Sequence, residues 1–75
     1  MSGRLPSLRP QEAIRALERA GWTIDRQRGS HISLKKAGVT HVVVVPMHRR
    51  DLGRGMLAAI IKDSGLTQDE FLALL

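Results

Sequence analysis

The sequence predicts a small α+β domain, with three antiparallel strands in a meander and helices on one face. Three observations predict it. The chain has only 75 residues, enough for one layered core and no second domain. Apolar residues recur at helical spacing near both ends of the chain. Between them lie alternating and β-branched stretches punctuated by Gly-containing turns. Hydrophobic residues make up 43% of the chain, enough to expect a folded core over disorder.

Residues 1–8 are a polar lead-in containing Pro and Gly, expected to fray. Pro10 suits the first position of a helix, where its missing N–H has no partner anyway. Glu12 adds an acid to that first turn. Ala13, Ile14, Leu17 and Ala20 form one apolar stripe, and Gly21 ends the helix. From Trp22 to Arg28 the chain alternates, with Trp22 and Ile24 on one face and Thr23, Asp25 and Gln27 on the other. Gly29-Ser30 signals a tight turn. From His31 to Lys35, Ile32 and Leu34 point one way and His31, Ser33 and Lys35 the other.

Lys36-Ala37-Gly38 marks a second turn. Val39 to Val45 reads as the third strand from its β-branched residues, and Pro46, lacking an N–H for the ladder, stops it. Residues 46–53 form a loop rich in His and Arg. A second helix is expected from about Arg54 to Ser64, closed by Gly65. Thr67 and Glu70 match a capping box for a short final helix carrying Phe71, Leu72, Leu74 and Leu75. The order is α-β-β-β-α-α. With both long helices on one face, the opposite face of the sheet is left open.

Strict alternation raises one conflict, because it places Arg26 and Arg28 on the same face as Trp22 and Ile24. Either the strand twists past the core and the arginine stems cover its rim, or a bulge resets the register.

Composition narrows the functional classes. The chain has no cysteine, which excludes disulfides and thiolate chemistry. Two aromatic residues, Trp22 and Phe71, argue against a base-stacking platform. No apolar run approaches a membrane span and no signal-peptide core is present, so the expected location is cytoplasmic, with no membrane partner. Net charge is +5, and its distribution is uneven. Residues 1–25 hold four arginines against three acids, and residues 51–75 two cations against four acids. Residues 26–50 hold Arg26, Arg28, Lys35, Lys36, Arg49 and Arg50 with no acid, together with all three histidines. Such a zone attracts polyanions, nucleic acid above all.

The stretch that carries chemistry is Arg26-Gln27-Arg28-Gly29-Ser30-His31. An imidazole takes and returns a proton near neutrality. Cleaving RNA requires a base for the 2′-hydroxyl, an acid for the leaving oxygen, and cations for the charge that builds on phosphorus. His31 can serve as base or acid. Arg26 or Arg28 can hold the phosphate, helped by the backbone N–H groups of Gly29 and Ser30. Lys35, Arg49 and Arg50 extend the phosphate-binding surface. His48 offers either a phosphate contact or a second acid/base, while His41, within the valine run, reads as a half-buried strand residue. The histidines, without Cys or clustered carboxylates, do not make a metal-ligand pattern. Neither a metal nor a small-molecule cofactor is expected.

In combination, several segments resemble the HicA (YcfA-like) toxins of bacterial HicAB toxin–antitoxin systems, over roughly residues 8–75. They are Ala20-Gly21-Trp22, Arg26-Gln27-Arg28-Gly29-Ser30-His31, Val45-Pro46-Met47-His48, the stretch from Leu52 to Leu66, and Glu70-Phe71-Leu72. Two departures are visible. Trp22 stands where the family usually has Phe, and residues 32–36 lack the aromatic residue or second histidine common after the catalytic one. The resemblance implies a double-stranded-RNA-binding-domain-like α-β-β-β-α fold, here with a short extra C-terminal helix. It implies ribosome-independent cleavage of mRNA with His31 as the catalytic residue, and neutralisation by a HicB-like antitoxin protein. The rival from another class is a double-stranded-RNA-binding module that holds RNA by shape and 2′-hydroxyl contacts without cutting it. A partner-binding protein that has lost nuclease activity is a further rival, and the intact Gly29-Ser30-His31 speaks against it. Cleavage that depends on His31 separates nuclease from binding module.

Overall fold

A computed structural model describes residues 5–48 and 50–75. In chain order, α1 spans Pro10–Arg19, β1 Thr23–Arg28, β2 His31–Lys35, β3 Val43–Pro46, α2 Gly53–Ser64 and α3 Gln68–Leu72. The expected α-β-β-β-α-α order is present, in an α+β fold. The three strands form one antiparallel sheet in the order β1-β2-β3, so β2 is central and both neighbours are edges.

Local chemistry sets the helix ends. Pro10 opens α1, and Glu12 Oε1 accepts from the Arg9 backbone N–H at 3.0 Å. Gly65, at φ +79°, closes α2 in the left-handed region that glycine enters cheaply. At α3 the capping box is reciprocal. Glu70 N–H donates to Thr67 Oγ1 at 3.1 Å, and Thr67 N–H to Glu70 Oε1 at 2.8 Å.

Helices α1 and α2 pack on one face of the sheet, and α3 packs against both of them. Ile14 and Leu17 of α1, Leu57, Ile60 and Ile61 of α2, and Phe71 of α3 join Ile32, Leu34, Val43 and Val45 in the core. Trp22, only 1% exposed, fills the corner between α1 and β1. Its indole Nε1 is buried without a hydrogen-bond partner among the described residues. The expectation of a frayed lead-in falls partly on residues 1–4, which lie outside the described residues. Leu8 is buried, and its carbonyl accepts from Leu52 N–H at 2.8 Å, tying the start of the chain to the loop before α2.

The third strand is shorter than its composition suggests. The expected Val39–Val45 run forms a strand only from Val43, and His41 lies outside it, exposed, not half-buried within the sheet. Its ring sits 6.0 Å from that of Trp22, and its Nε2–H donates to the Asp63 carbonyl at 2.7 Å. These contacts anchor the bend to the end of α2, so β-propensity yields to tertiary contacts here. Within β3 the faces separate cleanly, with Val43 and Val45 buried and Val44 exposed.

Candidate active site on the open sheet face

Asp25 settles the conflict over Arg26 and Arg28. In the β1–β2 ladder Ile24 pairs with Leu34, and the next pair is Arg26 with Ser33, so Asp25 is an extra residue that bulges out. Residues opposite each other in an antiparallel pair share a face. Past the bulge, Gln27 pairs with the core residue Ile32, while Arg26 pairs with Ser33 and Arg28 with His31. Both arginines are thereby transferred to the open face, beside the histidine. The bulge, one of the two resolutions that alternation allowed, is the one the structure adopts. Ile24, at the bulge, is 48% exposed instead of following Trp22 into the core.

The β1–β2 connection is a two-residue turn. Gly29 has φ +59° and no described non-glycine residue has positive φ, the pattern of a II′ hairpin with glycine first. Gln27 Nε2 donates to the Gly29 carbonyl at 3.0 Å across the turn. His31 follows at once, exposed, between Arg28 on one neighbouring strand and Pro46 on the other.

Ser30 links this turn to the loop after β3. Its carbonyl accepts from Met47 N–H, and its Oγ hydrogen-bonds His48 Nδ1 at 3.2 Å. The result brings the His48 ring within 5.7 Å of the His31 ring, tilted by 57°. Two imidazoles and an arginine thus converge at one end of the open face, within residues that sequence spacing alone could only associate loosely. Neither ring of this pair makes another hydrogen bond among the described residues.

The remaining sequence-derived candidates are more dispersed. Lys35 lies at the far end of β2, with Nζ 3.4 Å from Asp25 Oδ1. Arg26 Nε is 4.0 Å from the other oxygen of the same carboxylate. Asp25, just outside the acid-free segment, therefore offsets part of its charge, a feature hidden until the bulge is known. Such exposed pairs contribute little to stability. Arg50 shares a shallow depression with Arg9, Gln11 and Asp51 at the start of α1, and no contact links it to His31. Arg49 lies outside the described residues. Among the described residues no group of three His, Cys, Asp or Glu side chains is arranged to hold a metal ion. No described helix is long and apolar enough to cross a membrane.

This arrangement is suited to proton transfer beside a phosphate. An imidazole can act as base or acid, and an arginine carries positive charge that never titrates away. No curated protein matches the chain. A family model described as HicA toxin of bacterial toxin-antitoxin matches residues 10–66, which take in α1, all three strands and α2.

Proposed function

The chain belongs to the HicA toxin family of bacterial toxin–antitoxin systems, and from that premise we propose that it is a ribosome-independent endoribonuclease that cleaves mRNA with His31 as catalytic residue. Membership of a toxin–antitoxin family implies an antitoxin partner, and in this reading the partner is HicB-like. The site of action is the cytoplasm.

The observation that carries the reading is the placement of His31. It is exposed on the open face, directly opposite Arg28 and within 5.7 Å of a second imidazole ring. An RNA phosphate seated against Arg28 brings the adjoining 2′-hydroxyl to His31. Proton transfer at that hydroxyl makes the substrate its own nucleophile. The 2′-oxygen bonds to phosphorus and the 5′-oxygen leaves, giving a 2′,3′-cyclic phosphate and a 5′-hydroxyl. Nothing in this sequence of steps calls for a metal ion. Arg26, Arg28, the Gly29 and Ser30 backbone, Lys35, His48, Arg49 and Arg50 bind the RNA backbone, which positions the chain without reading its bases.

A single general acid–base residue contributes roughly 10²–10⁴-fold, which suits a slow nuclease whose effect is growth arrest. The test is cleavage of RNA by the purified chain and by His31→Ala. Loss of cleavage and of growth arrest, with RNA still bound and the fold intact, is expected. Undiminished cleavage by the variant sinks the assignment. Absence of cleavage by the unmodified chain, with double-stranded RNA still bound, points to the binding module instead.

A further inference from the structure

Transesterification of RNA requires two proton transfers, and the reading above assigns only the residue that begins them. We propose that His48 is the second catalytic residue, working as a proton-transfer pair with His31, and that Ser30 is the residue that positions it. The proposal rests on the nuclease reading and goes beyond it.

The geometry of the two segments supports the pairing. The two rings come from different segments, β2 and the loop after β3, yet their centroids are 5.7 Å apart. That separation lets a single phosphodiester group sit against both. His31 follows Ser30 in the chain, and Ser30 holds the other segment twice, through its carbonyl to Met47 N–H and through Oγ to His48 Nδ1. One half-buried residue therefore fixes the relation between the two imidazoles.

The hydroxyl is a suitable partner for a histidine that must cycle. With Nδ1–H donating to Ser30 Oγ, Nε2 is the nitrogen left for substrate, and it can carry a lone pair or a proton while that hydrogen bond persists. A carboxylate in the same place favours the protonated form. A neutral hydroxyl orients the ring without fixing its charge.

The chemistry balances. One imidazole, neutral, takes the 2′-hydroxyl proton as the 2′-oxygen bonds to phosphorus. The other, protonated, gives its proton to the 5′-oxygen as that P–O bond breaks. The products are a 2′,3′-cyclic phosphate and a 5′-hydroxyl, and the pair ends with its protons exchanged, to be reset by water. The charged groups around it are Arg28, opposite His31, and Arg26, opposite Ser33, both from β1. Further along β2 is Lys35, paired with Asp25. On the loop side Arg50 lies with Arg9 and Asp51, and Arg49 is outside the described residues. Among the described residues, the helices lie on the opposite, core-facing side of the sheet.

The experiment is the pH dependence of kcat/KM on a short RNA for the unmodified chain, His48→Gln, Ser30→Ala and His31→Ala. Binding of a 2′-O-methyl RNA that cannot be cut is measured alongside. The unmodified chain should give a bell, because one group must be neutral and the other protonated. His48→Gln should lose roughly 10²–10⁴-fold in rate and one limb of the bell, a loss far larger than the weakening of binding that follows from its missing backbone contact. Ser30→Ala, keeping both imidazoles, should lose about tenfold in rate and keep both limbs. If His31→Ala is inactive while His48→Gln keeps the rate and both limbs, this proposal is overturned and the nuclease reading stands. If His31→Ala cleaves like the unmodified chain, both fall. Thermal melts of every variant separate loss of chemistry from loss of fold.

Discussion

Arg28 faces His31 across the last pair of the β1–β2 ladder, with only Gly29 and Ser30 between them in the chain. That one pairing puts an imidazole and a permanent cation side by side on the open face. It depends on two local features, a glycine that permits the turn and an extra residue, Asp25, that transfers the arginines to the open face.

The turn is the first place to test. Gly29 has φ +59°, and a Cβ added there would meet nothing within 4 Å. The cost of Gly29→Ala is therefore conformational, about 1–2 kcal/mol for an L-residue in the left-handed region. A domain of this size should melt roughly 4–8 °C lower per kcal/mol. Gly29→Asn, which tolerates that region better, should lose less. Equal destabilisation by both variants contradicts a backbone origin.

Salt dependence tests the division of labour among the cations. Arg28 has no acidic partner among the described residues, whereas Lys35 and Arg26 share Asp25. Arg28→Ala should flatten the plot of log affinity against log salt by roughly 0.7 for single-stranded RNA, and Lys35→Ala by less. Asp25→Asn should steepen it. Affinity losses should be alike for unrelated sequences, since phosphate contacts carry no base information. A Lys35→Ala effect larger than that of Arg28→Ala counts against the arrangement.

Trp22 occupies a core position, and its Nε1–H has no partner among the described residues. Replacement by Phe removes apolar surface but also that unsatisfied donor, and the two effects oppose each other. Trp22→Phe should cost far less than the ~3–5 kcal/mol expected for a buried Trp cut to Ala, as read from denaturant unfolding of both variants. Comparable losses in the two would show that the indole is satisfied after all.

The partner should cover the open face. Val44 is 40% exposed there, on an edge strand, and Val42 just before it is 45% exposed. Apolar surface on an unpaired edge is an aggregation liability unless something covers it. An antitoxin with acidic residues opposite Arg26 and Arg28 would bury His31 with the valines. Hydrogen exchange and histidine modification in the complex should both report protection of β3 and His31. A neutralising complex that leaves His31 accessible points to an allosteric mechanism.

Much of this site was legible in the sequence, for identifiable reasons. The alternation of β2 separated Ile32 and Leu34 from His31, Ser33 and Lys35 correctly, because each side has one chemical character. The Thr67–Glu70 box and the Gly65 stop are local signals, and local signals survive folding. The bulge was visible only as a contradiction, since alternation cannot say where an extra residue is absorbed. The valine run overstated β3, because the Trp22 and Asp63 contacts of His41 are tertiary. The His31–His48 approach was unreadable for the same reason: their proximity is created by the β2–β3 register and by Ser30, and spacing encodes neither.

In the proposed mechanism His31 acts on the 2′-hydroxyl of the RNA that is cut. The most direct measurement is mass spectrometry of the cleavage products, with a matched substrate carrying one 2′-deoxy sugar at the scission site. The expected products are a 2′,3′-cyclic phosphate or its hydrolysis product with a 5′-hydroxyl, with no cleavage at the deoxy position and undiminished activity in EDTA. A 3′-hydroxyl with a 5′-phosphate, or cleavage indifferent to the missing 2′-hydroxyl, would contradict it.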